Sequence, residues 1–571
     1  MDVIKAVQHY VDKMINDVPG MKVLLLDMET TPIVSLVTTQ SALLTKECYL
    51  IDRIDNRNRD KIKHLKSICF LRPTRESLRY LTDELGDPAY GDYYLYFSNT
   101  MRKADIEHLA EIDEHEVVRE VHEYFGDYLA INSDLFSLGL DSWDLFGETA
   151  ASWNAEAFEQ SVRGVSSVLL SLKKKPLIRY ERASPMAKRL AHEIQHNIQQ
   201  EGQLFDFRRP DTPPILLVLD RRNDPVTPLL TQWTYQAMVH DLLGIHHGRV
   251  DMSNVPDIRN ELKEIVLSPE QDPFFKKSMY LNLGDLGATI KQYVDEYQTK
   301  TKSNMNIESI ADMKRFVEEY PEFRKLSGNV SKHVALVSEL SRRVSEEQLL
   351  QISELEQDLA CNENHNNDLR SIQKMIENDR ISEDAKVRLV LLYALRYERM
   401  PNNQIKSLID MLDSVGVSEK KSALIPAVLL YAGYQQRQDD LFSNQTFLSR
   451  GKSALKGLKG VENIYTQHTP LLAETLDLLI KARLKDTNYP FVDNQLQSGR
   501  ERPQDIIVFI IGGTTFEEAR YIAQLNATTP GVRIVLGGTG IHNSSSFMRQ
   551  LGQIGQRYMN VSSSAGRRTT R

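Results

Sequence analysis

The 571-residue sequence predicts an α/β plus all-α protein, with two parallel-sheet α/β domains and a large helical insertion in the second. Three observations predict it. Unbroken apolar runs recur near the N-terminus, at Ile215–Leu219, at Asp505–Gly513 and at Val532–Gly538, the pattern of parallel strands covered on both faces. Strand and helix signals alternate over the first 135 or so residues, which implies a doubly wound layer. From about His246 to Ile480 the signals are overwhelmingly helical.

Taken in chain order, the first element is an amphipathic helix on which Val3, Val7, Tyr10, Val11, Met14 and Ile15 share a face. Strands are expected at Met21–Asp27, Glu47–Ile54, Ser67–Pro73 and Tyr93–Asn99, with helices between them. The pattern breaks into a polar, irregular stretch around Ser142–Ala155, a candidate boundary. Ser166–Tyr180 and Ala187–Gln200 then read as helical and lead into the strand at Ile215–Leu219. Asp220, Arg221 and Asp224 follow its carboxyl end. Thr227 offers a helix cap with Pro228 at the first helical position, and Tyr235, Met238, Leu242 and Ile245 fall on one stripe ended by Gly244. Within the helical region, Glu296–Asn304 reads as a polar interruption and Ile381–Ala385 as a joint. The two strands near the C-terminus are too few to form a sheet alone, so they are expected to complete the one begun by Ile215–Leu219. The tail SSSAGRRTTR reads as disordered.

Composition narrows the function. Hydrophobic residues make up 41% and charged residues 26%, as in an ordinary globular protein. A net charge of −8 argues against a nucleic-acid binder, which would show a basic face. No apolar run is long enough to span a bilayer, and the N-terminus lacks the apolar block of a secretory signal. Cys48, Cys69 and Cys361 are widely spaced, which fits a reducing cytosol.

Four motifs suggest chemistry. His192-Glu193-Ile194-Gln195-His196 fits H-E-x-x-H, in which two histidines four apart on a helix face one zinc ion, but no third ligand follows at a useful distance. Gly451-Lys452-Ser453 resembles the end of a phosphate-binding loop, yet Thr446 stands where that loop needs glycine. Gly537-Gly538-Thr539-Gly540 resembles half of a dinucleotide fingerprint, with Asn543 in place of its third glycine. Asp220 and Asp224 suit magnesium, but Arg221 and Arg222 beside them favour an ion-pair network. Nothing assembles nucleophile, base and orienting group, so an enzyme is not expected, nor a cofactor or metal.

The stretch LLVLDRRNDPVTPLLTQWTYQAMVHDLLGI (Leu216–Ile245) resembles the hallmark of the Sec/Munc (SM) family, regulators of SNARE-driven membrane fusion. KVLLLD (Lys22–Asp27), RKLSGNVSKH (Arg324–His333), GVENIYTQHTPLL (Gly460–Leu472), PQDIIVFIIGGTTFEEA (Pro503–Ala519) and RIVLGGT (Arg533–Thr539) follow the family's order. The chain is most similar to the family's vacuolar-protein-sorting branch. The resemblance implies a three-domain arch: residues 1–135 as domain one, 136–245 with 481–571 as a discontinuous domain two, and 246–480 as an inserted helical domain three. It implies a syntaxin-type SNARE held in a central cleft, where Asp27, Asp52 and Arg53 match positions facing the syntaxin helices. It also implies an N-terminal syntaxin peptide docked on domain one at Ile106, Leu109, Val118, Val121 and Glu123. Ile106, Leu109, Val118 and Val121 lie in ADIEHLAE and EVVREVHE, where apolar residues recur at helical spacing. Pro321 matches a proline in a domain-three hairpin that switches from bent to extended and receives a second, vesicle SNARE.

The resulting expectation is a chaperone of SNARE complex assembly in traffic between the trans-Golgi network and endosomes or vacuole. It would be cytoplasmic and peripherally associated with Golgi and endosomal membranes through its syntaxin partner, with a Rab effector as a further partner. The alternatives are a zinc metallopeptidase at His192 and His196, and a passive SNARE tether.

Overall fold

Strand β1 (Lys22–Leu26) is buried along its whole length, because its five residues KVLLL sit in the middle of a parallel sheet. With β2 (Cys48–Arg53), β3 (Ile62–Leu71), β4 (Tyr90–Phe97) and β5 (Val118–Glu123) it forms a five-stranded sheet in the order β2-β1-β3-β4-β5, paired in parallel throughout. The computed structural model describes residues 1–305, 310–442, 464–492 and 502–565. The Gly451-Lys452-Ser453 motif, Thr446 and the start of the Gly460–Leu472 landmark lie outside the described residues.

A second sheet has six strands. These are β6 (Leu129–Asn132), β7 (Leu135–Ser137), β8 (Leu177–Tyr180), β9 (Ile215–Asp220), and two from the far end of the chain. Between the two groups in sequence lies a small hairpin of β10 (Arg249–Asp251) and β11 (Glu264–Val266). Strand β12 (Asp505–Ile511), the two-residue β13 (Thr514–Thr515) and β14 (Arg533–Gly538) follow. The order of the six is β6-β7-β14-β12-β9-β8. Ile506 lies opposite Ile215 and Ile511 opposite Asp220, so the C-terminal strands do complete the sheet begun at Ile215. The buried Phe136, Phe509 and Leu217 are part of this sheet's core.

The chain folds into two compact units. Met1–Arg221, Leu476–Thr514 and Tyr521–Ile541 build the first, which contains both sheets. Arg222–Thr475, Thr515–Arg520 and the residues from His542 onward build the second, which is mainly helical. Its core brings Tyr235, Met238, Phe275, Leu336, Leu340 and Ile352 together. Also buried there is the ion pair of Arg388 and Glu356, 3.0 Å apart, with the Thr231 amide donating to the same carboxylate at 2.7 Å.

Five local expectations need correction. Ser166–Tyr180 is not one helix: the helix Ala155–Ser171 ends where Lys173 takes φ 55, and β8 follows. Val118–Glu123 is a strand, whose spacing of Val118 and Val121 imitates a helix because only part of this edge strand is covered. Thr227 does not cap the next helix. Its amide and hydroxyl bond the Asp224 carboxylate at 3.1 and 2.6 Å, which holds a 3-10 turn at Thr227–Leu229, and the helix begins at Tyr235. The polar stretch Glu296–Asn304 interrupts nothing, since it contains no glycine or proline and the helix Leu283–Met305 runs through it. The helix Ser544–Ala565 takes in the first residues of the tail, and those beyond Ala565 lie outside the described residues. The first helix, Val3–Asp17, is as expected, with Asp2 capping it through the Lys5 amide at 3.0 Å.

Candidate functional site: an edge strand, a helix and a filled crevice

In a doubly wound sheet of this order a ligand would sit beyond the carboxyl ends of β1 and β3, where the winding reverses. Here protein fills that crevice. Asp27, immediately after β1, is buried and its carboxylate accepts four hydrogen bonds, from the Glu29, Thr30 and Arg72 amides and the Ser77 hydroxyl, while the nearby Thr30 hydroxyl donates to the Phe70 carbonyl at 2.6 Å. Arg72, after β3, donates to Asp127 at 2.7 Å and to Glu29 at 2.8 Å. Asn99 and Gln160 donate to the other Asp127 oxygen, each at 3.1 Å. Burying these charges is offset only by such complete pairing. Asp27 therefore builds the corner from which the following helix, Thr30–Val37, departs.

Asp52 and Arg53 end the outer strand β2 and remain partly exposed. Asp52 accepts from the Arg53 amide at 2.7 Å and from the Asn56 amide group. Arg53 forms a bidentate pair with Asp55 at 2.7 and 2.8 Å, which lowers the Asp55 pKa.

At the other edge, the helix Lys103–Ile112 precedes β5. Asp113, just past the helix, accepts from the Val117 and Val118 amides at 2.9 and 3.0 Å and so fixes where the strand begins. Leu109 is buried in the core beneath the helix, and Val118 packs half-buried against the same cluster. Ile106 and Val121 are 40% and 43% exposed. The Glu123 carboxylate accepts from the Met101 amide at 2.6 Å, tying the end of β5 to the start of that helix. Among the described residues β5 pairs only with β4, which leaves its outer edge open to them. The structure brings four of the five residues into one neighbourhood through core packing and these two carboxylate bridges: Leu109 and Val118 by the shared cluster, Ile106 by its helix, Glu123 by its bond. Val121 lies on the same strand. Sequence reading missed Asp113, although an acidic residue just ahead of a β run is the signal that would have pointed to it.

The apparent catalytic motifs have structural roles. His192 and His196 are exposed on the helix Pro185–Gln200; the His192 Nδ1 lies 2.8 Å from the Lys188 carbonyl and its ring packs on Tyr180. Among the described residues no three His, Cys, Asp or Glu side chains come together as a metal site. The glycines of Gly537-Gly538-Thr539-Gly540 make room for protein. A Cβ at Gly537 would lie 1.9 Å from Phe136 Cζ, and one at Gly540 would lie 2.2 Å from Asp141 Oδ1. Asp220 accepts from the Ser184 hydroxyl at 2.6 Å, while Asp224 holds the Thr227 turn and accepts from the Leu471 amide at 3.1 Å.

Pro321 lies within the helix Ile310–Glu346, where it supplies no N–H to the carbonyl four residues earlier. Further along that helix, His333 is fully buried, with Nε2 2.6 Å from Asp272 and Nδ1 2.7 Å from the Tyr235 hydroxyl. Burial lowers the His333 pKa more than Asp272 raises it, and burial keeps the Tyr235 proton on. The imidazole is thus neutral, donating to Asp272 and accepting from Tyr235, although its distance to Asp272 alone would suit an ion pair. Burial opposes the Asp272 charge, but the bonds from His333 and Lys332 outweigh it and hold the carboxyl well below its usual range. This trio was not legible in the sequence, because its members lie far apart along the chain.

The fold is that of a protein built on two α/β sheets, the first parallel throughout and the second parallel but for the β6–β7 pair, with an added helical unit. Residues 22–550 match the Sec1 family, and the chain belongs to that family. It is 53% identical over 553 residues to mouse vacuolar protein sorting-associated protein 45, covering 96% of each chain. The budding-yeast protein of that name is 40% identical, with 94% of each chain covered. Among solved structures it is similar to SM protein Vps45 in complex with the Qa SNARE Tlg2, with a TM-score of 0.91 and 55% identity over 98% of this chain and 99% of that one. The Unc18–syntaxin 1 complex from Monosiga brevicollis, at 18% identity and a TM-score of 0.80, shares the fold over 97% of this chain and all of that one. No helix among the described residues is long and apolar enough to cross a membrane.

Proposed function

We propose that this protein binds a syntaxin-type SNARE and promotes assembly of the SNARE complex in traffic between the trans-Golgi network and endosomes or vacuole. The observation that carries this reading is its 55% identity, over 98% of its length, to a protein solved in complex with a Qa SNARE. It makes and breaks no covalent bonds. The crevice where a doubly wound sheet would hold a substrate is closed by Asp27, Arg72 and Asp127, which supports that part of the reading. Membrane association is peripheral, at Golgi and endosomal membranes, through the syntaxin. A vesicle SNARE and a Rab effector complete the set of partners.

Two contact regions are assigned. An N-terminal syntaxin peptide covers Ile106 and Val121, with Leu109 and Val118 as the apolar floor and Glu123 fixing the strand end. Asp52 and Arg53 face the syntaxin helices, on a corner that Asp27 shapes. The division into residues 1–135, 136–245 with 481–571, and 246–480 is part of the same reading. The missing hydrogen bond at Pro321 marks where the helix Ile310–Glu346 bends or straightens to receive a second SNARE. Docking the peptide raises the effective concentration of the syntaxin helices at the main site, and aligning two helices in advance reduces the ordering cost of assembly. A pull-down with syntaxin bait tests the first step. A protein that binds yet leaves the assembly rate unchanged would be a passive tether.

A further inference from the structure

The helical unit contains a cavity of about 570 Å³ between the helix Ile310–Glu346 and the segment from Arg259 to Asp272. That volume lies within the range of small-ligand sites. On one wall Arg324, Lys325, Gly328, Asn329 and Lys332 follow one another at helical spacing. A Cβ at Gly328 would meet nothing within 4 Å, so there is open space in front of this wall.

The charges on the lining do not cancel. Asp272 is matched by Lys332 at 2.7 Å and by the His333 N–H, and Glu264 pairs with Arg249. That leaves Arg259, Arg324 and Lys325, none with a carboxylate partner among the described residues, against Glu261 alone. Three exposed cations set against one carboxylate among the described lining residues bias the potential at the cavity towards positive. Hydroxyls of Ser268 and Ser331 and the Asn329 amide add neutral donors to the same lining.

We propose that this cavity binds a multiply phosphorylated polyol, the chemistry of an inositol phosphate, taken either free or as a lipid headgroup. A single carboxylate matches one cation and leaves the others unpaired. Phosphate groups carry more charge and more acceptor oxygens, which suits Arg and Lys together with hydroxyl donors. The ring of a polyol spaces two such groups across the cavity. The proposal does not rest on the SNARE contacts assigned above, although its wall begins three residues beyond Pro321 on the same helix.

The test uses the full chain and inositol 1,4,5-trisphosphate in titration calorimetry. Saturable binding is expected, weakened about tenfold or more by Arg324→Glu with Lys325→Glu. Gly328→Asp, which places a carboxylate in open space on the same wall, is expected to weaken it too, and Lys406→Glu on a distant exposed helix to leave it unchanged. Phosphatidylcholine vesicles with and without phosphatidylinositol bisphosphate separate the sources. Binding to the phosphorylated vesicles assigns a lipid headgroup, and binding to the soluble ligand alone assigns a free phosphate ester. Absence of binding by the wild-type chain, equal affinity in all variants, or displacement of the trisphosphate by an acidic SNARE peptide at lower concentration would overturn the proposal.

Discussion

Truncating Ile106 and Val121 together to alanine tests the peptide contact without disturbing the core. Complete burial of such a side chain contributes ~1.5–3 kcal/mol. Ile106 is 40% and Val121 43% exposed, so a peptide gains only the remaining two-fifths of that, ~0.6–1.2 kcal/mol at each. The pair then contributes ~1.2–2.5 kcal/mol, which weakens the dissociation constant roughly eight- to seventyfold when both are removed. Leu109, 6% exposed, is the wrong residue to change, because its loss would cost ~2–5 kcal/mol of folding stability and confuse the two effects. Calorimetry with a synthetic syntaxin N-terminal peptide reads the affinity, and thermal unfolding by circular dichroism checks the fold. A variant that unfolds like the wild type and binds within twofold of it would refute the assignment.

Other consequences can be checked on stability and rate. Arg72→Met leaves Asp127 buried without its cation and is expected to cost ~3–5 kcal/mol in urea unfolding. Gly537→Ala forces a methyl against the Phe136 ring and is expected to destabilise by ~1–3 kcal/mol, which differential scanning calorimetry would detect. Acid should weaken the helical unit. Burial lowers the pKa values of His240, His333 and His468, and that of His240 falls to about 4. The folded state therefore binds fewer protons than the unfolded one below about pH 6.5, and stability is lost as pH falls from there through the folded values. The unfolding temperature is expected to drop between pH 7.5 and 5, less steeply in His333→Gln; a flat profile would contradict the neutral assignment. Pro321→Ala restores a helix hydrogen bond and is expected to speed assembly of a reconstituted SNARE mixture; an unchanged rate would remove the proposed bend.

Much of this architecture is written in continuous apolar runs. KVLLL, ILLVLD and DIIVFII each fold as fully buried central strands, since a parallel sheet covered on both faces demands nothing else of them. Edges were harder to read. VREVHE is covered on one side only, so its valines three apart look helical, and the outer half of β3, IKHLK, hides its strand among lysines. The candidate site is legible where exposed apolar residues such as Ile106 stand out. It is illegible where distant residues converge, as in Asp27 with Arg72 and Asp127, or Tyr235 with Asp272 and His333. Asp27 shows the limit: its residue type suggests a surface charge, whereas its four donors, visible only in the fold, make it a buried corner post.

The most direct measurement is the rate at which a complete set of purified trans-Golgi or endosomal SNAREs assembles with and without this protein. Binding of the Qa SNARE accompanied by faster assembly, with no substrate consumed, is the expected result. Failure to bind any Qa SNARE, or an assembly rate indifferent to its presence, would contradict the account.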